Sequence, residues 1–192
     1  MFSFPFMVAF VSSVFWIFPA IRNYRTKLFL YFLILAISDP LAISAVFFVP
    51  GISTILYVLL AFLLVASLRN FFSTKKLYVG ILVLFFLMGV AAIFFPVNIR
   101  YIVNMSEHTC VAFIFIGLLL SYVALNSKVK VFHIVLVLYE ISIILKVLFI
   151  VLNVELGISY FYTTSIFEML IAVFFSIYKE TDNKLLIDLK NV

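Results

Sequence analysis

The sequence predicts an all-α integral membrane protein with seven transmembrane helices. Hydrophobic residues make up 67% of the 192 positions and charged residues only 11%, whereas ordinary globular domains are about 45–50% apolar and about 25% charged. A core of this size cannot bury so much apolar surface, so the solvent of the outer surface must be lipid. The charges fall in short clusters between apolar runs, which argues against nucleic-acid binding despite the net charge of +5.

Each apolar run meets or approaches the roughly 20 residues that a helix needs to cross the hydrocarbon core. The predicted spans are residues 2–21, 28–48, 51–68, 77–96, 109–126, 131–152 and 158–178. Runs such as GILVLFFLMGV do not alternate, which excludes a transmembrane β-barrel. The Pro50-Gly51 pair indicates a tight hairpin between the second and third spans. We therefore expect residues 1–178 to form one bundle and residues 179–192 to form a short tail.

The distribution of Lys and Arg predicts the orientation. Basic residues follow spans 1, 3, 5 and 7, namely Arg22, Arg25, Lys27, Arg69, Lys75, Lys76, Lys128, Lys130, Lys179, Lys184 and Lys190. Only Arg100 lies on the opposite side, and Lys146 lies inside span 6. The positive-inside rule then gives an outside N-terminus and a cytoplasmic C-terminus, and we expect a bacterial cytoplasmic membrane. On the outer side, Asn104-Met105-Ser106 matches a glycosylation sequon, a triplet that is common by chance.

The tail KETDNKLLIDLKNV is amphipathic at helical spacing. Leu185, Leu186, Leu189 and Val192 fall on one face. Three alternatives remain for it: a helix on the inner leaflet, a segment that docks onto a partner protein, or a continuation of span 7. Partners are therefore expected to be the lipid bilayer and a protein at the cytoplasmic loops and tail.

Four ionisable residues lie well inside predicted spans: Asp39, Glu140, Lys146 and Glu168. Each charge at the bilayer centre costs about 2.5–3.5 kcal/mol, so these side chains should face the bundle interior or a wet cavity. We expect Lys146 to be the counter-ion of Asp39 or of Glu168, with Asp39 preferred. With one cation against three carboxyl groups, at least one carboxyl should be protonated at neutral pH, which suits proton coupling.

Further polar residues complete a predicted intramembrane polar site. Tyr139, Ser142, Lys146 and Asn153 form a stripe on span 6, and Thr164, Ser165 and Glu168 share a face of span 7. Pro40 follows Asp39 and should free a backbone carbonyl near residue 36. The alternative role for these residues is interhelical hydrogen bonding that fixes the helix register.

Two segments predict an internal repeat. Residues 26–53 and 129–159 both begin near a Lys-x-Phe, both contain a mid-helix polar cluster, and both reach a Gly-Ile-Ser. Span 4 would then link two parallel three-helix units, a construction common in transporters.

This layout resembles that of the SWEET and PQ-loop transporters. The resemblance implies transport of sugars or amino acids as a function. It rests on topology, with Pro19 and Pro40 matching two of the four SWEET prolines. Spans 5 and 6 contain no proline and the Pro-Gln dipeptide does not occur, so no binding residues are carried over.

Two functions follow as hypotheses: a small-solute or proton-linked transporter, or a non-catalytic membrane subunit or sensor. The sequence contains no Walker loop, GxSxG or HExxH, and we expect neither a cofactor nor a metal. Span 7 has no lysine for a retinal Schiff base, and two histidines are too few for a ceramidase-type zinc site. We expect Glu107 and His108 to be capping or surface residues at a helix start, and His133 to be an interfacial or core residue.

Overall fold

The computed structural model describes residues 4–46, 52–72, 74–154, 158–182 and 185–188, and it is built from α-helices. The helices are α1 Phe4–Phe15, α2 Ile17–Arg22, α3 Phe29–Val46, α4 Ile52–Ser67, α5 Lys75–Ile93, α6 Val97–Asn126, α7 Val131–Val151 and α8 Ile158–Ile177. A single 3-10 turn covers Arg69–Phe71, and two short strands cover Lys128–Lys130 (β1) and Leu186–Asp188 (β2). The all-α prediction is confirmed, and the Pro50-Gly51 hairpin lies outside the described residues.

Among the described residues, three helices, α5, α6 and α7, are long and apolar enough to cross a membrane. The other apolar helices contribute shorter described stretches, at Phe10–Arg22, Phe29–Ala45, Ile52–Ser67 and Tyr162–Ile177. Large apolar side chains are exposed along α5, among them Leu84, Phe86 and Leu87, as expected for a surface in contact with lipid. These features indicate an integral membrane protein. Seven spans and their sidedness stay a prediction.

The start of α6 differs from the sequence prediction. The helix begins at Val97, directly after Pro96, whereas the predicted span began at residue 109. The polar residues of 97–108 lower the local hydropathy, so the sequence predicts an outer loop between the fourth and fifth spans. Several of them instead face the bundle interior, where other helices supply partners. The helix ends at Asn126 and is followed by Ser127, which adopts a left-handed conformation (φ 53°) with its N–H bonded to the Val123 carbonyl.

The described helices other than α5 form a ring in which α1 and α2 together make one member, and α5 packs against the outside of the ring. The bent rod α1–α2, interrupted at Trp16, packs against α3 and α8, and the ring continues through α4, α6 and α7 back to α8. Helix α5 contacts α4 and α6 only from the outside. Gly89 of α5 faces Val58 of α4, and a Cβ at Gly89 would lie 3.6 Å from Val58 Cγ1. The predicted repeat of two three-helix units stays a prediction.

An aromatic layer fills one half of the ring. It consists of Tyr31, Phe32, Phe115, Phe132 and Phe175, all buried. Neighbouring rings meet edge-on or tilted, with centroids 5.0 Å apart for Phe32–Phe175 and for Phe132–Phe175, which is favourable aromatic geometry. Because Phe32 and Phe132 lie near the first turns of α3 and α7, this layer is near the end of the bundle that holds the α2–α3 and α6–α7 connections. We call this end the basic end and the opposite one the cavity end.

The tail docks onto its own chain at the basic end. Strand β2 pairs antiparallel with β1, with Val129 opposite Ile187, and the Val131 N–H bonds to the Leu185 carbonyl at 3.2 Å. The helical spacing read from the tail is therefore not realised at Leu186–Asp188, because the extended backbone of β1 offers a pairing edge. Residues 189–192 of the predicted tail lie outside the described residues.

Candidate functional site

A cavity of about 280 Å³ lies inside the ring at the cavity end. Its walls come from the middle of α3, the second half of α7 and the first turns of α4 and α6. They carry polar side chains from every one of these helices, namely Ser38, Asp39, Ser53, Thr54, Tyr57, Arg100, Tyr101, Asn104, His108, Tyr139 and Lys146, with Glu168 from α8. Between them lie apolar residues such as Leu60 and Ile143. The cavity therefore combines an apolar wall with a few converging polar groups, as small-molecule sites do.

Asp39 lies at the wall of the cavity beside Tyr57 of α4. The Tyr57 hydroxyl donates a hydrogen bond to Asp39 Oδ1 at 3.3 Å. The neighbouring Ser38 hydroxyl donates to the Ile34 carbonyl one turn back in α3. Pro40 lies inside α3 but on the other side of the helix, where it lines an open apolar groove between α2 and α3. Asp39 thus belongs to the cavity, and Pro40 does not.

Lys146 pairs with Glu168, the second of the two counter-ions that the sequence offered. Lys146 Nζ lies 2.6 Å from Glu168 Oε1, and the two side chains are 28% and 11% exposed. The pair joins α7 to α8 at the cavity wall. Asp39, which was the preferred partner in the sequence prediction, instead takes its hydrogen bond from Tyr57.

Arg100 enters the cavity from the first turn of α6, where sequence reasoning had placed an outer loop. Its guanidinium donates to the carbonyls of Ala92 and Ile93, at 3.1 and 3.2 Å, and to the Thr54 hydroxyl at 3.2 Å. The first two bonds hold it against the end of α5, and the third reaches α4. Arg100 is therefore a fixed cation at the cavity wall.

Asn104 and His108 follow Arg100 at intervals of four and also line the cavity. This spacing places all three on one face of α6, and it is the signal in the sequence that could have found them. The Asn104 amide donates to the Tyr57 carbonyl at 3.1 Å, and Asn104 is only 7% exposed. Because a buried side chain cannot accept a glycan, the match of Asn104-Met105-Ser106 to a sequon is one that arises by chance.

Glu140 forms a buried hydrogen-bonded chain with Tyr31 and His108. Its carboxylate accepts from the Tyr31 hydroxyl through one oxygen and lies 2.8 Å from His108 Nδ1 through the other. Since Glu140 is fully buried and His108 lines the cavity, the chain runs from the cavity to the aromatic layer. The expectation that His108 is a surface residue is wrong, because α6 extends further than predicted and turns this side chain inward.

Glu107 is also buried, contrary to the expected surface position. Both of its carboxylate oxygens lie without a hydrogen-bond partner among the described residues, as does His133 Nδ1. His133 is 3% exposed and packs edge-on against Tyr122, with ring centroids 5.5 Å apart. A core position for His133, one of its two expected environments, is therefore what the structure shows.

Of three further predicted site residues, one lines the cavity and two hydrogen-bond to their own helices. Tyr139 lines the cavity and packs against Trp16 with the two rings tilted and their centroids 4.6 Å apart. Ser142 and Thr164 bond to carbonyls of their own helices, those of Tyr139 and Tyr160.

Two more of the predicted residues lie away from the cavity wall. Ser165 is buried in α8, and Asn153 lies exposed beyond the end of α7 with φ 50°. Of the predicted polar stripe on span 6, Tyr139 and Lys146 therefore line the cavity, Ser142 bonds to the backbone of its own helix, and Asn153 lies beyond the helix.

The basic end is held by hydrogen bonds to the chain that follows α8. The buried Asn23 amide donates to the carbonyls of Pro19 and Phe175, and its oxygen accepts from the Glu180 N–H at 3.2 Å. Arg22 reaches Asp182 at 3.6 Å. These contacts fasten α2, α8 and the following segment together.

Lys130 and Glu180 add a second link at the basic end, between the α6–α7 connection and the tail. The Lys130 ammonium donates to the Glu180 backbone carbonyl. Burial lowers the pKa of Lys130 below its ordinary value, against the opposing effect of Glu180 and Asp182. Burial also raises the pKa of the Glu180 carboxyl, against the opposing effects of Lys27 and Lys130. Both groups therefore lose hydration when the tail docks.

Comparisons of the chain with protein-family models, with curated proteins and with solved structures find no match. The described residues contain no group of three or more His, Cys, Asp or Glu side chains that could hold a metal ion. The function is therefore inferred from the cavity and its charged side chains.

Proposed function

We propose that this chain is a membrane transporter for a small polar solute, which binds in the cavity between α3, α4, α6, α7 and α8. One observation carries the proposal: the cavity brings Asp39, Arg100, Lys146 and Glu168 together at one end of the ring. Intramembrane charges are costly and are retained mainly along substrate or ion pathways. Hydrogen bonds between membrane helices are worth about 0.6 kcal/mol on average, so fixing helix register alone is a small return for four charged groups.

The size of the cavity supports a small solute. Its volume of about 280 Å³ lies near the lower end of the range of about 300–1,000 Å³ for ligand pockets. The apolar wall, with Leu60, Ile143 and Val147, would exclude water around the solute and strengthen its polar contacts.

The closed half of the ring supports transport. The buried aromatic layer lies between the cavity and the basic end, and a transporter with alternating access would be closed on one side in this way. The chain from His108 through Glu140 to Tyr31 crosses from the cavity into this layer. It offers a path for a proton, and we propose that proton movement along it accompanies the solute.

The test is cysteine accessibility in proteoliposomes of known orientation, in a Cys110→Ala background. Ile143→Cys places a thiol on the cavity wall, and Leu84→Cys places a matched control on the exposed face of α5. Because a transporter exposes its site alternately to both sides, a membrane-impermeant thiol reagent should modify I143C from either side. L84C should react from neither side, since lipid covers it.

Modification of I143C from the cavity end alone contradicts transport. Modification from neither side contradicts a water-accessible cavity altogether.

The second candidate is a sensor or membrane subunit that signals through a partner protein. The observation that favours it is the docked tail, which connects α2, α8 and the α6–α7 connection at the basic end. A solute that moves α8 through Glu168 would move this assembly, and a partner bound there would detect the movement. Reaction of I143C from the cavity end alone is the outcome expected of this function.

A further inference from the structure

Two charges in the cavity have no oppositely charged partner among the described residues. The ion pairs in that part of the chain are Arg22–Asp182, His108–Glu140 and Lys146–Glu168. Arg100 and Asp39 belong to none of them. The cavity therefore presents one fixed cation and one carboxyl group whose charges the protein does not neutralise by direct contact.

The Arg100 guanidinium is positioned by neutral oxygens. Its three contacts go to two backbone carbonyls and to the Thr54 hydroxyl. A guanidinium carries five N–H donors in a planar fork that matches a carboxylate. Arg100 therefore retains both its charge and donors for an anionic group in the cavity.

The Asp39 carboxyl is likewise held by a neutral group, the Tyr57 hydroxyl. The nearest cation on the cavity wall, Lys146, is engaged by Glu168 at 2.6 Å. Asp39 therefore remains available for a cationic group that enters the cavity.

Helix α4 contacts both poles. Thr54 contacts Arg100 and Tyr57 contacts Asp39, and the two α4 residues lie three positions apart, on one face of the helix. Both poles also line the same cavity. A single molecule that carries an anionic and a cationic group can therefore meet both of them there.

We infer that the solute is a small zwitterion that places a carboxylate on Arg100, an ammonium on Asp39 and its apolar part against the wall of Leu60, Ile143 and Val147. This rests on the proposed solute site. A buried charge without a partner is costly, and only a zwitterion neutralises both poles together. A simple amine or acid leaves one pole unmatched.

The experiment measures binding to the purified full-length chain in lipid nanodiscs by titration calorimetry. The probes are L-leucine, isopentylamine and 4-methylpentanoate, which share one side chain and differ only in their charged groups. L-Alanine, ethylamine and propionate form a second set, so that side-chain size does not decide the result. In at least one set, the zwitterion should bind about tenfold or more tightly than its amine and its acid, since each unmatched pole costs on the order of 1.4 kcal/mol.

Variants assign the two poles. Arg100→Gln should abolish the preference for the zwitterion over the amine, and Asp39→Asn should abolish the preference over the acid. Arg100→Lys keeps the positive charge and should keep most of the preference, which controls for a folding defect. Arg69→Gln removes a charge from the exposed turn at the basic end and should change nothing.

The inference is overturned if an amine or acid binds as tightly as its zwitterion, if no zwitterion probe binds, or if both variants weaken all probes equally. These outcomes leave the solute site intact when I143C is still modified from the cavity end. Loss of that modification would remove the site and the inference together.

Discussion

At the scale of single residues, the pair of Lys146 and Glu168 offers a direct measure of what charge costs inside this bundle. Replacing Lys146 with Met leaves Glu168 without its cation. Because both side chains still touch the cavity, we expect a loss of about 2–3 kcal/mol in the free energy of unfolding, below the 3–5 kcal/mol typical of a dry pair. Thermal unfolding in mild detergent measures the change.

The double variant Lys146→Met with Glu168→Met removes both charges. It should be more stable than K146M alone, because no unpaired carboxylate remains. Ser142→Ala, on the same helix, removes only a bond to its own backbone and should change stability by less than about 1 kcal/mol. Equal stability of K146M and the double variant would show that the unpaired Glu168 carboxyl carries no cost.

The sequence predicted Asp39, Lys146 and Glu168 as site residues because each is an isolated charge in an apolar run. Arg100 and His108 escaped that reasoning, since a cluster of polar residues lowers the local hydropathy as a loop does. Their spacing of four, which places them on one helix face, is the better criterion. Tertiary packing decides which carboxylate forms the ion pair with Lys146, and no local sequence pattern predicts that choice.

At the scale of elements, the contact between α4 and α5 depends on Gly89. A Cβ there would lie 3.6 Å from Val58 Cγ1, which is ordinary contact, whereas a Cβ at Gly80 meets nothing within 4 Å. Gly89→Ala should therefore be neutral or stabilising by up to about 1 kcal/mol. Gly89→Leu should destabilise by about 1–3 kcal/mol, because its branched end cannot fit against α4.

Gly80→Leu is the matched control in the same helix and should not lower the unfolding temperature. If G80L and G89L lower that temperature equally, the effect comes from the glycine backbone and not from packing on α4.

Most helices followed from hydropathy, because lipid selects long apolar runs whatever their neighbours are. Two elements did not. The first turns of α6 mix polar and apolar residues, so their mean hydropathy does not identify them as part of a membrane helix. Strand β2 exists because β1 supplies its hydrogen-bond partners, and β1 lies far away in sequence. An amphipathic pattern of so few residues fits a helix face and a paired strand about equally well.

At the scale of the whole molecule, the two ends of the ring are built differently. At the cavity end, charged side chains face the cavity. The basic end is closed by the aromatic layer and held by contacts with the tail. A ring order of helices cannot be derived from one sequence, because each apolar helix can pack on any other. The positions of the charges nevertheless predict an interior polar site, and Asp39, Lys146 and Glu168 do line one cavity.

Docking of the tail should depend on pH with opposite signs on the acid and alkaline sides. The pKa of Glu180 is raised in the docked form, so the docked tail binds this proton more tightly than the free tail does. Docking is therefore strongest below the ordinary pKa of 4.5 and weakens as the pH rises to the raised value. The pKa of Lys130 is lowered, so docking strengthens again as the pH rises from that lowered value to the ordinary 10.5.

Hydrogen exchange of the β2 amides, corrected for the intrinsic pH dependence of exchange, measures this docking. The acid-side decline in protection should disappear in Glu180→Gln, whose side chain cannot ionise, and the alkaline-side rise should disappear in Lys130→Gln. Lys128→Gln makes the same charge change in the same strand, outside the contact with Glu180, and should retain both slopes. Protection that is flat with pH in the unmodified chain would mean that neither group changes its hydration on docking, and the tail would then be held by backbone pairing alone.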